Sequence, residues 1–175
     1  MNKKQKMMER EFFKEKALNK LATPGKHELV IVLDHLKPDF NVGKIFRSAD
    51  AFGAKEIHLV GIPYFHPGTA MGSFRHVPAK FFEEFDECYK VLKELEYQIY
   101  TFELGEHLNL SKVQFPKRSA IIMGHEEYGI SFDKSNYPDI QTIMIQQFGK
   151  VQSLNVSVAA SVAMYEYVRQ VSAGQ

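Results

Sequence analysis

Three short segments of the chain carry polar side chains spaced for chemistry. The first is Asn41-Val42-Gly43-Lys44-Ile45-Phe46-Arg47. Asn41 stands where a helix would start, with a side chain able to accept from the following backbone amides. Arg47 lies less than two helical turns on, among the apolar Ile45, Phe46, Ala49 and Phe52. An Arg in that setting either aims its charge at a particular anion or snorkels to water. The second segment is Met123-Gly124-His125-Glu126-Glu127-Tyr128-Gly129-Ile130. Gly124 permits a close backbone approach and Gly129 a positive-φ turn around the carboxylate of Glu126. By itself this also reads as a plain turn after a strand. The third runs from Ile145 to Ala160 and contains Gly149, Ser153, Leu154 and Asn155 ahead of an Ala/Val-rich stretch. Ser153 and Asn155 suit a helix start as well as a binding site.

Other chemistries lack their residues. No G-x-G-x-x-G follows a strand pattern, and there is no G-x-x-x-x-G-K-[ST] and no G-x-S-x-G. The seven histidines are scattered without an H-x-x-x-H pair, so no metal site is expected. His58 falls inside a strand pattern and reads as a hydrogen-bonded structural residue. The lone Cys88 rules out an intramolecular disulfide and a Cys-based zinc site.

The elements that must position these segments alternate. Leu29-Val30-Ile31-Val32-Leu33 is a short unbroken run suited to a strand buried on both faces. Residues 41–53 predict a helix, with Val42, Ile45, Phe46, Ala49 and Phe52 on one side and Gly53 at its end. Further strands are expected at 57–60, 80–82, 98–102, 120–123 and 140–145, and helices at 86–96 and 155–170. Residues 63–78 hold three prolines and two glycines and predict a long loop of the functional or mobile kind. Strands alternating with helices imply an α/β fold, a mainly parallel sheet with helices on both faces. Ligands of such sheets bind beyond the carboxyl ends of the strands. Each of the three segments begins or follows a strand, so all three are expected at one sheet edge.

Charge is unevenly spread over the 175 residues. Residues 1–26 hold eight Lys/Arg against three acids, and the remainder holds fourteen against eighteen. A basic helix at 1–22, closed by Thr23-Pro24-Gly25, therefore precedes a mildly acidic body. The arm is either a polyanion contact or a solvated helix of mixed charge. No apolar run reaches the ~20 residues that span a bilayer, and the basic start has no apolar stretch behind it to make a secretory signal. A soluble, reduced, cytoplasmic protein is expected.

Taken together, the three segments resemble the motifs of the SpoU (TrmH-like) family of RNA ribose methyltransferases, a branch of the SPOUT methyltransferases. Asn41 to Gly53 is similar to N-x-G-x-I-x-R-[ST]-A-x-x-[FG]-G, Gly124 to Ser131 to G-x-E-x-x-G-[LI]-[SP], and Ile145 to Ala159 to I-P-M-x-G-x-V-x-S-L-N-V-S-x-A. The resemblance covers residues 29–171. One departure is plain: Gln146-Gln147 stand where the family has Pro-Met, at a backbone turn beside the cofactor.

The resemblance implies a SPOUT methyltransferase domain over 26–175, with a C-terminal deep trefoil knot and a basic helical extension at 1–25. It implies an S-adenosylmethionine pocket with adenosyl contacts around Phe102, Gly124, Ile145, Ser153 and Leu154. Arg47 is the implied central catalytic residue, with Asn41, Glu126, Ser153 and Asn155 orienting it, the ribose and the cofactor, and with no metal needed. The implied partners are tRNA or rRNA and a second copy of the chain. Homodimerisation agrees with the apolar helix after Asn155. Two alternatives stand beside it. A base-methylating SPOUT enzyme is disfavoured by Asn41 with Arg47, and a non-catalytic RNA-binding protein is disfavoured by Arg47, Glu126, Ser153 and Asn155.

Overall fold

The computed structural model describes residues 3–105 and 107–173, so Met1, Asn2, Glu106, Gly174 and Gln175 lie outside it. Seven strands, β1 (His27–Asp34), β2 (Ala54–Val60), β3 (Ala79–Phe82), β4 (Gln98–Phe102), β5 (Leu108–Asn109), β6 (Ser119–Met123) and β7 (Gln141–Met144), form one sheet in the order β3-β2-β1-β6-β4-β7-β5. Every pairing is parallel. The helices are α1 (Lys3–Asn19), α2 (Phe40–Ala51), α3 (Phe85–Glu94) and α4 (Val156–Ala173). The two-residue β5 was not expected, because Leu108-Asn109 is too short to show a periodicity.

Alternation along β1 explains why its run is apolar throughout. Leu29, Ile31 and Leu33 enter one buried cluster with residues of α1, α2 and α4. Val30 and Val32 enter the other, with Phe85, Cys88 and Leu92 of α3. Both faces are covered, as a parallel sheet requires. Leu95 ends α3 and is exposed.

His58 occupies the α3 side, completely buried, and is hydrogen-bonded as expected. Its Nε2 lies 2.8 Å from Glu56 Oε1, and its Nδ1 lies 3.2 Å from Cys88 Sγ. Lys80 Nζ donates to Glu56 at 2.8 Å. Burial pushes the Cys88 thiol up to about 12, so it stays protonated and is no nucleophile.

The basic helix α1 is packed, not free. Phe12 is fully buried, stacked on Phe74 and edge-on to Phe65 and Phe81. Asn19 Nδ2 donates to the carbonyls of Phe74 and Val77, and its Oδ1 accepts from Ala79 N. Arg75 grips Glu15 with two hydrogen bonds of 2.5 and 2.6 Å. The same contacts order the 63–78 segment, which makes two 3-10 turns and buries Phe65, Ala70, Phe74 and Val77. Its prolines and glycines signal irregular backbone, and the aromatic residues between them supply the packing. Gly43 of α2 fits against this segment so closely that a Cβ there would meet Thr69 Oγ1 at 2.0 Å and Ala70 N at 2.7 Å. Among the described residues no helix is long and apolar enough to cross a membrane.

Candidate active site

Three adjacent strands, β6, β4 and β7, end at one cavity of about 570 Å³. Phe102 follows from β4, Met123 and Gly124 from β6, and Met144 and Ile145 from β7, while Ser153, Leu154 and Asn155 close it from the approach to α4. The second and third segments singled out in the sequence thus gather at one sheet edge. The size lies in the range of small-molecule sites.

The second segment is a tight turn. The His125 and Gly129 backbones exchange hydrogen bonds of 2.7 and 2.9 Å, and Gly129 has φ +75°. A Cβ on Gly124 would lie 2.5 Å from the Gly129 carbonyl carbon, so only glycine lets the turn close. His125 Nδ1 accepts from the backbone amides of Glu127 and Tyr128 at 3.0 and 3.3 Å, which leaves its ring proton on Nε2. The end of the segment is tied to β1 by the fully buried Asp34, which accepts from Ser131 N at 2.6 Å and Ser131 Oγ at 2.7 Å.

Asn41 departs from the expected cap role. Asp39 precedes the helix and Asn41 lies within its first turn. The Asn41 side chain instead bridges the other two segments, with Nδ2 donating to Glu126 Oε1 at 2.8 Å and Oδ1 accepting from Asn155 Nδ2 at 3.2 Å. Asn155 does cap α4, accepting from Ser157 N at 2.9 Å and Ser157 Oγ at 2.6 Å. Burial disfavours the charged form of Glu126. Hydrogen bonds from Asn41 and from the backbone of Glu126 and Lys37 outweigh it and hold the carboxyl below its ordinary value. Glu126 is therefore a fixed anion and a poor base near neutral pH.

Phe102, Gly124, Glu126, Ile145, Ser153, Leu154 and Asn155 all line the cavity. Asn41 reaches it through Glu126 and Asn155. Arg47 does not line it: exposed on α2, it makes no hydrogen bond or ion pair among the described residues. Six residues of helix put it ~9 Å along the axis from Asn41 and about 120° round it. Sequence reasoning missed Glu103, Leu104, Val151 and Gln152 on the wall. Their only signal was position, directly beyond or between strand ends and the motifs.

The lining has an electrostatic sense. Glu103 and Glu126 contribute carboxylates, and among the described residues no Lys or Arg lines the cavity. Glu103 is held by Lys134 Nζ at 2.5 Å. Such a wall suits a ligand with a cationic centre and disfavours an unneutralised polyphosphate. Gln147 also lines the cavity, and its Oε1 is shut off from solvent without a hydrogen-bond partner. A buried carbonyl left so costs ~1–3 kcal/mol. Among the described residues no group of three or more His, Cys, Asp or Glu is placed to hold a metal ion.

A doubly covered parallel sheet with its cavity at the strand ends defines an α/β ligand-binding protein of the kind that binds at carboxyl edges. The model of the SpoU rRNA Methylase family matches residues 28–165, and the chain belongs to that family. The chain is 31% identical over 169 residues to the tRNA (guanosine(18)-2'-O)-methyltransferase of Thermus thermophilus, covering 94% of this chain and 86% of that protein. Its structure is similar to that of the A. aeolicus TrmH/SpoU tRNA modifying enzyme, with a TM-score of 0.77, 26% identity, and 96% and 86% of the two chains covered. It is also similar to a structure described as giving insights into the 2-OH methylation of C/U34 on tRNA, with a TM-score of 0.72, 25% identity, and 83% and 97% covered.

Proposed function

We propose that the protein transfers a methyl group from S-adenosylmethionine to a ribose 2′-hydroxyl of tRNA or rRNA. One observation carries the reading: two of the family's motifs line a cavity whose described wall has two carboxylates and no Lys or Arg, and Asn41 of the third is hydrogen-bonded to Glu126 and Asn155 on that wall. That wall suits a sulfonium cofactor. Phe102, Gly124, Ile145, Ser153 and Leu154 are the proposed cofactor contacts. The trefoil knot implied by the motifs belongs to the same proposal.

Bound there, the cofactor supplies an electrophilic methyl group. The chain supplies position and electrostatics. The 2′-hydroxyl must lose its proton as the methyl arrives. Arg47 is always protonated, so it serves as a phosphate anchor and a donor to the forming alkoxide rather than as a base. Its exposure, with no hydrogen bond or ion pair among the described residues, keeps the guanidinium available to RNA. Asn41, Glu126 and Asn155 form one hydrogen-bonded chain that fixes the cavity wall beside the ribose, with Ser153 next to it.

Homodimerisation is part of the proposal. The inner side of α4 buries Val156, Ala160, Ala163, Met164 and Tyr167, while Val158, Val162 and Tyr165 form an exposed stripe at helical spacing. A second copy is the proposed cover. The 1–25 extension is proposed to present its outer cations to RNA while its inner face joins the core of the 26–175 domain. A cytoplasmic location completes the reading.

The test is transfer of labelled methyl from the cofactor to fractionated RNA, followed by nuclease and alkaline mapping. Label in alkali-resistant 2′-O-methyl dinucleotides is expected. Label in a base would overturn the ribose assignment, and cofactor binding without transfer to any RNA would favour a non-catalytic binder.

A further inference from the structure

We infer that Phe40 and Tyr128 are stacking platforms that hold unpaired RNA bases beside the Asn41–Glu126 hydrogen bond at the cavity. The inference rests on the ribose methyltransferase reading and concerns two side chains that the motifs leave open: Phe40 precedes the first motif, and Tyr128 fills a free position of the second. Phe40 is 54% exposed and Tyr128 78%. Each ring lies nearly parallel to a histidine ring. Phe40 and His66 have centroids 6.2 Å apart at 26°, and Tyr128 and His125 have centroids 4.7 Å apart, also at 26°. Both histidines are pinned. His66 Nδ1 accepts from Gly68 N at 3.1 Å, and His125 Nδ1 accepts from the amides of Glu127 and Tyr128. A backing ring held in this way orients the exposed aromatic while more than half of that residue stays in water.

Placement and charge select single-stranded RNA as the occupant. Phe40 adjoins Asn41 and Tyr128 lies two residues from Glu126, and those two are joined at 2.8 Å. Both platforms thus flank, along the chain, the polar pair proposed to fix the wall beside the ribose. On α2, Phe40, Lys44 and Arg47 recur at i, i+4 and i+7 and form one exposed stripe. Among the described residues Lys44 and Arg47 make no hydrogen bond or ion pair. Free cations beside open aromatic faces are the parts of a single-strand site, in which the cations take phosphates and the rings take bases. A duplex keeps its bases stacked on one another and does not offer their faces to such rings.

The experiment measures RNA affinity of the full chain by fluorescence. The probes are a mixed-sequence single-stranded oligoribonucleotide carrying 2-aminopurine and the same strand annealed to its complement. Wild type is expected to bind the single strand about tenfold more tightly than the duplex, with a change in 2-aminopurine emission that marks the stacked base. Phe40→Ala and Tyr128→Ala, each first shown to melt cooperatively and to bind S-adenosylhomocysteine like wild type, should each weaken single-strand binding by about tenfold. Their salt dependence should stay parallel to that of wild type, because no phosphate contact is lost. Phe40→Tyr and Tyr128→Phe should restore affinity and the emission change. Phe40→Leu and Tyr128→Leu, apolar but without a π-face, should not, and they serve if an alanine variant does not fold. Wild-type affinity in both leucine variants would overturn the inference, as would equal binding of single strand and duplex. So would a change of light-scattering mass in Phe40→Ala without loss of RNA affinity, which would assign that ring to a contact between chains. Wild type that transfers labelled methyl to no RNA fraction would defeat the methyltransferase reading itself. Wild type that transfers it, with leucine variants of unchanged RNA affinity, defeats only the platforms.

Discussion

Asn41 and Asn155, separated by 114 residues, are joined by a 3.2 Å hydrogen bond from Asn155 Nδ2 to Asn41 Oδ1. The same Asn41 side chain donates to Glu126, so one carboxamide couples the start of α2, the β6 turn and the start of α4. Replacing Asn41 with Leu removes both bonds. Methyl transfer should fall by about 100-fold while cofactor affinity changes little, because positioning errors of an ångström carry losses of this order. Asn41 helps hold the Glu126 carboxyl below its ordinary value, so its loss should move the acid limb of the pH–rate profile to higher pH. An unshifted limb would remove Glu126 from that role.

Arg47→Lys should leave thermal stability and cofactor binding unchanged, since Arg47 is exposed and makes no hydrogen bond or ion pair among the described residues. Transfer to RNA should drop by about 100-fold, because a lysine lacks the planar fork that holds phosphate. Wild-type transfer rates in Arg47→Lys would show that the anchor lies elsewhere.

On α4, Val162 is 37% exposed in the single chain and belongs to the stripe with Val158 and Tyr165. Val162→Asp should therefore leave the monomer fold intact by circular dichroism yet shift light-scattering mass from two chains to one. A wild-type protein that is a monodisperse, active monomer would count against the dimer.

Acid should weaken the fold in two stages. Burial lowers the His58 pKa from its ordinary value. The unfolded chain therefore takes up more protons below about pH 6.5, and stability falls as pH drops through that value. The Glu56 carboxyl is opposed by burial but is held at about 2 by His58 and Lys80. Its contribution is present above the unfolded carboxylate range near pH 4.5 and is lost as pH falls from there towards 2, on the order of 3 kcal/mol in all. Urea midpoints measured from pH 8 to 3 should fall first near 6.5. In Glu56→Gln the lower stage should shrink, while other carboxyls held below their ordinary values, Glu126 among them, keep part of it.

Two sets of α1 variants separate packing from RNA contact. Phe12→Ala empties a fully buried site in the aromatic cluster and should cost ~3–5 kcal/mol by denaturant unfolding. Replacing the exposed Lys6, Arg10 and Lys14 with Gln should barely change stability. It should flatten the dependence of RNA affinity on salt, because fewer counterions are released. Parallel salt slopes would confine the helix to packing.

Much was legible in the sequence because it rests on local patterning. The buried β1 run, the helical spacing in α2 and the strand-end position of each motif follow from side-chain period alone. From them come the parallel sheet and the gathering of Gly124, Glu126, Ile145, Ser153 and Leu154 at one edge. Tertiary structure decided what depends on partners distant in sequence. Asn41 looked like a cap, but Glu126 and Asn155 come within reach and take its side chain. The basic arm could be an RNA contact or a packing element by its sequence, and the choice of packing partners was made only where Phe12 met Phe65, Phe74 and Phe81.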